Sequence, residues 1–164
     1  MGILILEHKA VICFFLVSIT GTHLMRSRRR RSSLRRRRRK SSPRRYRGRS
    51  VVRVAGDGNC LFRSLAYPSL HHATVRKTLV DHVSQHWRDD YEAFVDHVDR
   101  DYYVSRMQCS GTWGDELMLA AFAKVYDRTV VVYASDATTE ISRYGNGRRV
   151  TRVVFSDGHY DALW

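Results

Sequence analysis

Cysteine is scarce in this chain. The three present, Cys13, Cys60 and Cys109, lie too far apart and in contexts too unlike to form a disulfide framework or a zinc knuckle, so reduced thiols are the expected state. No apolar run reaches the roughly 20 residues of a membrane span, and the densest one, 10–19, has the length of a signal-peptide core. Acidic residues are missing altogether from 26–49, which holds 15 Lys and Arg. Nothing in that stretch can bury a core, so residues 26–50 are expected to be disordered. Gly2 does not make a myristoylation site, because Leu6 stands where Ser or Thr is needed.

The formal net charge of +13 therefore belongs to a leader. Residues 51–164 carry 13 Lys and Arg against 15 Asp and Glu and are close to neutral. An arginine block of this kind neutralises phosphates, so non-specific, salt-sensitive binding of nucleic acid or an acidic surface is expected through 26–49. It also fits a nuclear localisation signal. A plain charged tail is the other reading. Residues 1–25 admit three: a secretory signal, a membrane anchor that leaves the rest in the cytosol by the positive-inside tendency, or a leader ahead of an effective start at Met25. Residues 51–164 suffice for one small domain with one core.

Within that domain, 51–54 is an apolar, strand-like run. Val75, Leu79, Val83 and Trp87, with Val80 beside them, recur at helical spacing and predict a helix over 74–87 capped by Thr74. Asp89-Asp90 opens a second short helix with Tyr91, Phe94, Val95 and Val98 on one face, and a third carries Tyr102, Tyr103 and Met107. A loop from Ser110 to Gly114 enters a helix with Asp115 or Glu116 in its first turn. Leu117, Met118, Ala121, Phe122 and Val125 give that helix the wide apolar coverage of an element buried between layers. The β-branched run 129–133 suits a central strand. Gly145-Asn146-Gly147 is a hairpin signal before a strand at 149–155, and a last strand starts near His159. Helices gathered first and strands last argue for an α+β fold.

Two places carry chemistry. Gly56-Asp57-Gly58-Asn59-Cys60 leads a strand-like run through a glycine turn into a helix-compatible segment. A thiol at such a junction meets the positive end of a helix dipole and unpaired amides that favour the thiolate and can receive an oxyanion. A free cysteine is as readily a packed core residue, and the local pattern allows both. At the far end, His159 and Asp161 alternate along a strand and so project to the same side. A base and the carboxylate that orients it can thus come from one strand, the nucleophile from a distant loop. The other histidines are scattered and imply no metal site.

These residues resemble those of the ovarian-tumour (OTU) family of cysteine proteases. Asp57-Gly58-Asn59-Cys60-Leu61-Phe62-Arg63-Ser64 is similar to the family's cysteine box. Gly111-Thr112-Trp113-Gly114-Asp115, with the helix and strand after it, resembles its middle block, and His159-Tyr160-Asp161 its histidine box. The resemblance implies an OTU-type, papain-like α+β fold with a small mixed sheet packed between helices over 51–164. It implies a deubiquitinating thiol protease acting on ubiquitin or a ubiquitin-like modifier, without metal or cofactor. Cys60 is then the nucleophile, His159 the base and acid, and Asp161 the orienting group. The amides of Asp57, Gly58, Asn59 and Cys60 form the oxyanion hole, with the Asp57 carboxylate shaping the loop and sharing in holding His159. Trp113, Gly114 and Tyr160 line the substrate channel. A monomer in the cytoplasm or nucleus is expected. The rival readings are a catalytically silent OTU-fold module that binds ubiquitin or nucleic acid, and a protease that processes a polyprotein.

Overall fold

The computed structural model describes residues 45–46, 48–95 and 98–164. The readings of 1–25 and of most of the arginine block, with their membrane, signal and nucleic-acid implications, lie outside these residues. Among the described residues no helix is long and apolar enough to cross a membrane.

Six strands, β1 (Arg45–Tyr46), β2 (Arg49–Val52), β3 (Arg128–Tyr133), β4 (Glu140–Tyr144), β5 (Arg149–Ser156) and β6 (His159–Leu163), form one sheet in the order β1-β2-β6-β5-β3-β4. Only β3 and β5 run parallel. The ordered part therefore begins before Val51, which corrects the disorder expected up to residue 50. The reason is that composition reports on side chains, whereas a ladder uses the backbone. Ser50 N donates to Trp164 O at 2.7 Å and Trp164 N to Ser50 O at 3.0 Å.

Among the described residues four α-helices lie between β2 and β3: α1 (Cys60–Ala66), α2 (His72–Gln85), α3 (Arg100–Gln108) and α4 (Glu116–Val125). In α2, Val75, Leu79, Val80 and Val83 are fully buried, as their spacing requires. The helix starts two residues earlier than its sequence suggested. His71 stays extended while its carbonyl accepts from Val75 N at 3.0 Å, so His71 rather than Thr74 is the N-cap. The second short helix is a π-helical turn, Trp87–Tyr91, followed by a 3₁₀ turn, Glu92–Phe94. That change of period separates the residues placed on one face: Tyr91 is buried, whereas Phe94 is 77% exposed and Val98 is exposed. In α3, Tyr103 and Met107 face the core and Tyr102 faces solvent.

The main core joins α1, α2, α3 and α4 to Val130, Val132 and Val153 of the sheet. α4 lies between α2 and the sheet, which accounts for its burial on nearly every side. A second, smaller cluster, Val131, Tyr133, Ala137, Val154 and Leu163 with Val51 against it, is made of strand and loop residues alone. Among the described residues the helices thus gather on one face of the sheet rather than on both.

The turn 145–147 is not a hairpin, because β4 and β5 each pair with β3 and not with one another. It crosses the end of β3 at close quarters. Gly145 has φ +71, and a methyl group there would stand 2.6 Å from Arg128 O. A two-residue hairpin joins β5 to β6 instead: Asp157 (φ 52) and Gly158 (φ 76) make the turn whose twist matches paired strands, and Ser156 faces His159 across it. We expect Gly145→Ala to destabilise the fold by about 2–5 kcal/mol, from left-handed strain plus overpacking. Gly48→Ala, with φ +79 but open space around it, should cost only about 1–2 kcal/mol. Urea denaturation of the two variants tests this, and equal costs would mean that the crossing is loose.

Candidate active site

The nucleophile candidate is held by what comes immediately before it. Cys60 is the first residue of α1, and Asn59 is its N-cap residue. Asn59 O accepts from Arg63 N at 2.9 Å, so that carbonyl points along the helix. The peptide it shares with Cys60 is trans and planar, so the Cys60 N–H points the opposite way, out of the helix end, where no intrahelical acceptor exists. The Asn59 amide is different. It donates to Asp57 Oδ1 at 3.1 Å and is therefore already engaged, which corrects its inclusion among the oxyanion donors.

Asp57 is likewise placed otherwise than expected. Its carboxylate accepts from Arg63 Nη2 at 2.6 Å and Arg63 Nε at 3.4 Å, besides the Asn59 amide, and its side chain is 41% exposed. No hydrogen bond among the described residues joins it to His159. Asp57 shapes the loop but does not share in orienting the imidazole. The Arg63 fork, and then the Asn59 amide, hold its carboxyl far below the usual carboxylate range. For a carboxyl depressed on folding, the stabilising contact is present above its unfolded value and is lost only as pH falls through the folded one. The loop brace therefore persists throughout mildly acidic solution.

His159 begins β6, and its Nε2 donates to Asp161 Oδ1 at 3.1 Å, the same-side geometry that strand alternation predicts. The same Asp161 oxygen accepts from Val54 N at 3.0 Å. Val54 follows the end of β2, so Asp161 is fixed by the chain that leads to the cysteine loop. His159 Nδ1 takes no part in that bond. It faces Gly56, where a methyl group would stand 3.7 Å from it. One turn along α1, on the face that Cys60 shares with it, Ser64 Oγ donates to Tyr160 O at 3.1 Å and fastens the helix to β6. Cys60, His159 and Asp161 are thus gathered at one end of the sheet by two short links, through Gly56 and through Ser64.

The three channel candidates separate. Trp113 is 68% exposed, with its indole edge 3.3 Å from where a methyl on Gly158 would lie, next in the chain to His159. Gly114 instead supplies close packing: a methyl there would meet Leu61 Cδ2 at 2.6 Å and the Phe62 ring at 3.0 Å. Tyr160 packs its ring on Phe155, with centroids 4.8 Å apart, and burial pushes its hydroxyl well above the ordinary tyrosine range. Cys109, by contrast with Cys60, is an exposed free thiol.

Sequence reading missed the residue that organises the loop. Arg76, only 4% exposed, donates from Nη2 to Asn59 Oδ1 (2.9 Å), Thr112 O (2.6 Å) and Gly58 O (3.3 Å), and from Nη1 to Met107 O (2.9 Å). Its guanidinium lies 3.8 Å from the centroid of the Phe62 ring. Asn59 Oδ1 also accepts from Gly111 N at 3.1 Å. Gly58, at φ +78, packs so tightly on Gly111 that no side chain fits between them. On the far side of Trp113, Asp115 caps α4 through Met118 N and accepts from Tyr103 Oη at 2.9 Å, and burial pushes its carboxyl up. The signal for Arg76 was its position on α2: with Leu79, Val80 and Val83 it falls on the apolar stripe, where an arginine needs a reason.

A family model described as OTU-like cysteine protease matches residues 55–150, a span that includes Cys60 and Arg76 and stops before His159. Ovarian tumor domain-containing deubiquitinating enzyme 10 of Arabidopsis thaliana is 34% identical over 122 residues, covering 69% of this chain and 34% of the enzyme. OTU domain-containing protein 3 of Mus musculus is 31% identical over 125 residues, 71% of this chain and 31% of that protein. The chain thus spans about a third of the length of each. Among solved structures, the Hazara virus OTU bound to ubiquitin superposes with a TM-score of 0.61 at 26% identity, over 71% of this chain and 80% of that one. The viral OTU domain protease of Taggert virus, at 23% identity and a TM-score of 0.61 over 70% and 78% of the two chains, shares the fold. By its sequence match and its fold, the chain belongs to the family of OTU-like cysteine proteases.

Proposed function

We propose that this chain is a deubiquitinase: a thiol protease that cleaves the peptide or isopeptide bond after the C-terminus of ubiquitin or a ubiquitin-like modifier. The observation that carries the reading is the His159–Asp161 pair at 3.1 Å, tied to the strand that feeds a cysteine at a helix N-terminus. Relatives named as deubiquitinating enzymes and a neighbour solved with ubiquitin bound support this substrate class.

In this reading Asp161 accepts the Nε2–H of His159, which leaves Nδ1 to take the Cys60 thiol proton. Cys60 Sγ attacks the carbonyl carbon of the modifier's terminal glycine. The oxyanion that forms meets the outward-pointing Cys60 amide, with the Gly58 amide ahead of it, each donor worth about 2.7–4 kcal/mol in a comparable protease. His159 returns the proton to the leaving lysine amine. Water, deprotonated by the same nitrogen, then releases the thioester. Trp113 forms one wall of the path taken by the extended glycine tail. Action in the cytoplasm or nucleus, and as a monomer, belongs to the same proposal.

Two outcomes test the reading. Incubation with ubiquitin bearing a thiol-reactive C-terminal electrophile should give one covalent adduct by mass, located on Cys60 and absent from a folded Cys60→Ala variant. If wild type forms no adduct with ubiquitin or with related modifiers, the chain is a silent member of its family. Because the Asp57 carboxylate is committed to Arg63 and the Asn59 amide, Asp161→Asn should lower kcat by about 10⁴-fold, since among the described residues no other carboxylate is hydrogen-bonded to the imidazole. Asp57→Asn should retain at least about tenfold more activity than that variant. Equal losses in the two would place Asp57 back in the imidazole's network.

A further inference from the structure

We infer that Arg76 is a positioning residue for acyl transfer: it sets the peptides of the cysteine loop from beneath, and through them the direction of the oxyanion donors. This role rests on the thiol-protease reading above and assigns work to a residue outside the three sequence motifs. Arg76 contacts neither Cys60 nor His159 by hydrogen bond and acts through Gly58, Asn59 and Thr112.

The Gly58–Asn59 peptide is held at both ends. Its carbonyl points inward and accepts from Arg76 Nη2 at 3.3 Å; its N–H points outward and donates to Asp57 Oδ1 at 3.1 Å. Rotation of that peptide would break both bonds together. The Asn59 side chain is held by the same cation at 2.9 Å and by Gly111 N at 3.1 Å, so the loop that presents Cys60 and the loop that presents Trp113 share one anchor. Thr112 O, next to Trp113, takes the shortest of these bonds, 2.6 Å from Arg76 Nη2. A second tie, Met107 O at 2.9 Å, fixes the guanidinium to the end of α3.

The chemistry of the acceptors identifies the task. A buried arginine ordinarily has a carboxylate partner. Arg76 has none among the described residues, and its acceptors are three carbonyls, one side-chain amide oxygen and, at 3.8 Å, the Met107 thioether sulfur. Phe62 stacks beneath the cation and keeps water from competing for these carbonyls. The planar fork reaches acceptors in several directions from one rigid group, which a lysine ammonium on a flexible stem does not reproduce. Arg76→Lys therefore keeps the charge and loses the geometry.

Two reactions of the same thiol separate positioning from scaffolding. Iodoacetamide alkylates Cys60 by displacing iodide at carbon, and no oxyanion develops. Acyl transfer from ubiquitin forms one. In the full-length protein, Arg76→Lys should be alkylated at Cys60, located by mass, at least as fast as wild type. Its kcat on a ubiquitin C-terminal fluorogenic amide should fall by about 10²-fold, the scale of a misplacement of about 1 Å. Hydrogen exchange should quicken in 56–64 and 108–114 and stay unchanged in β3 and α4. If Arg76→Lys does not fold, Asn59→Ala, which removes one of the cation's acceptors, should show the same split. Alkylation that falls in step with turnover would make Arg76 a scaffold residue, and unchanged exchange in both loops would overturn the role outright. The exchange measurement decides even if wild type turns over no ubiquitin substrate, and that second failure would count against the proposed function instead.

Discussion

One buried cation without a carboxylate underlies the geometry of this domain. An arginine so placed is stabilised only if its hydrogens find acceptors, and the acceptors available beneath α2 are carbonyls of loops that would otherwise have little to define them. Those loops supply the turn before Cys60 and the segment that carries Trp113. Neither buries much apolar surface of its own, and Gly58 and Gly111 have no side chains with which to anchor anything. Their order is borrowed from the helix behind them. Each dependence runs both ways: without the loop carbonyls Arg76 would be a buried charge with unsatisfied donors, and without Arg76 the two glycine-rich turns would lose their common support.

The opposite side of the site is built by different means. His159 and Asp161 belong to a strand, and their relation follows from strand geometry and a two-residue turn. The oxygen that orients the imidazole also accepts from Val54, so the carboxylate is shared between the base and the approach to the nucleophile. Ser64 adds a link from α1 to the neighbouring carbonyl of β6. A rigid strand on one side and cross-braced loops on the other meet at one end of the sheet.

What was legible in the sequence divides along the same line. Regular elements wrote themselves in periodicity: the buried faces of α2 and α4, the β-branched β3, and the pairing of His159 with Asp161 by alternation. Less was visible where one backbone answers another at long range. Tyr46 and Ser50 lie in a stretch whose composition suits disorder, yet the backbone there is zipped to the sheet. Gly145 and Gly147 have the look of a hairpin, but they let the chain pass the end of a strand that lies between their neighbours. Asp57 and Asn59 read as members of a motif, and only the fold shows that the first is taken by Arg63 and that it occupies the second's amide. Arg76 was the one polar residue on an apolar stripe. Periodicity marked it as anomalous, but the carbonyls that explain it come from residues up to 36 positions away.

The ladder that closes β2 on β6 has a wider implication. Ser50 and Trp164 exchange two backbone hydrogen bonds, so the first half of β2 and the residue after β6 stand side by side. The cost of such closeness is that an incision at Val51, where composition suggests the boundary, would cut away half of β2. It would remove the rung between Ser50 and Trp164, and so a boundary drawn by charge alone would unzip the end of β6 that lies away from His159.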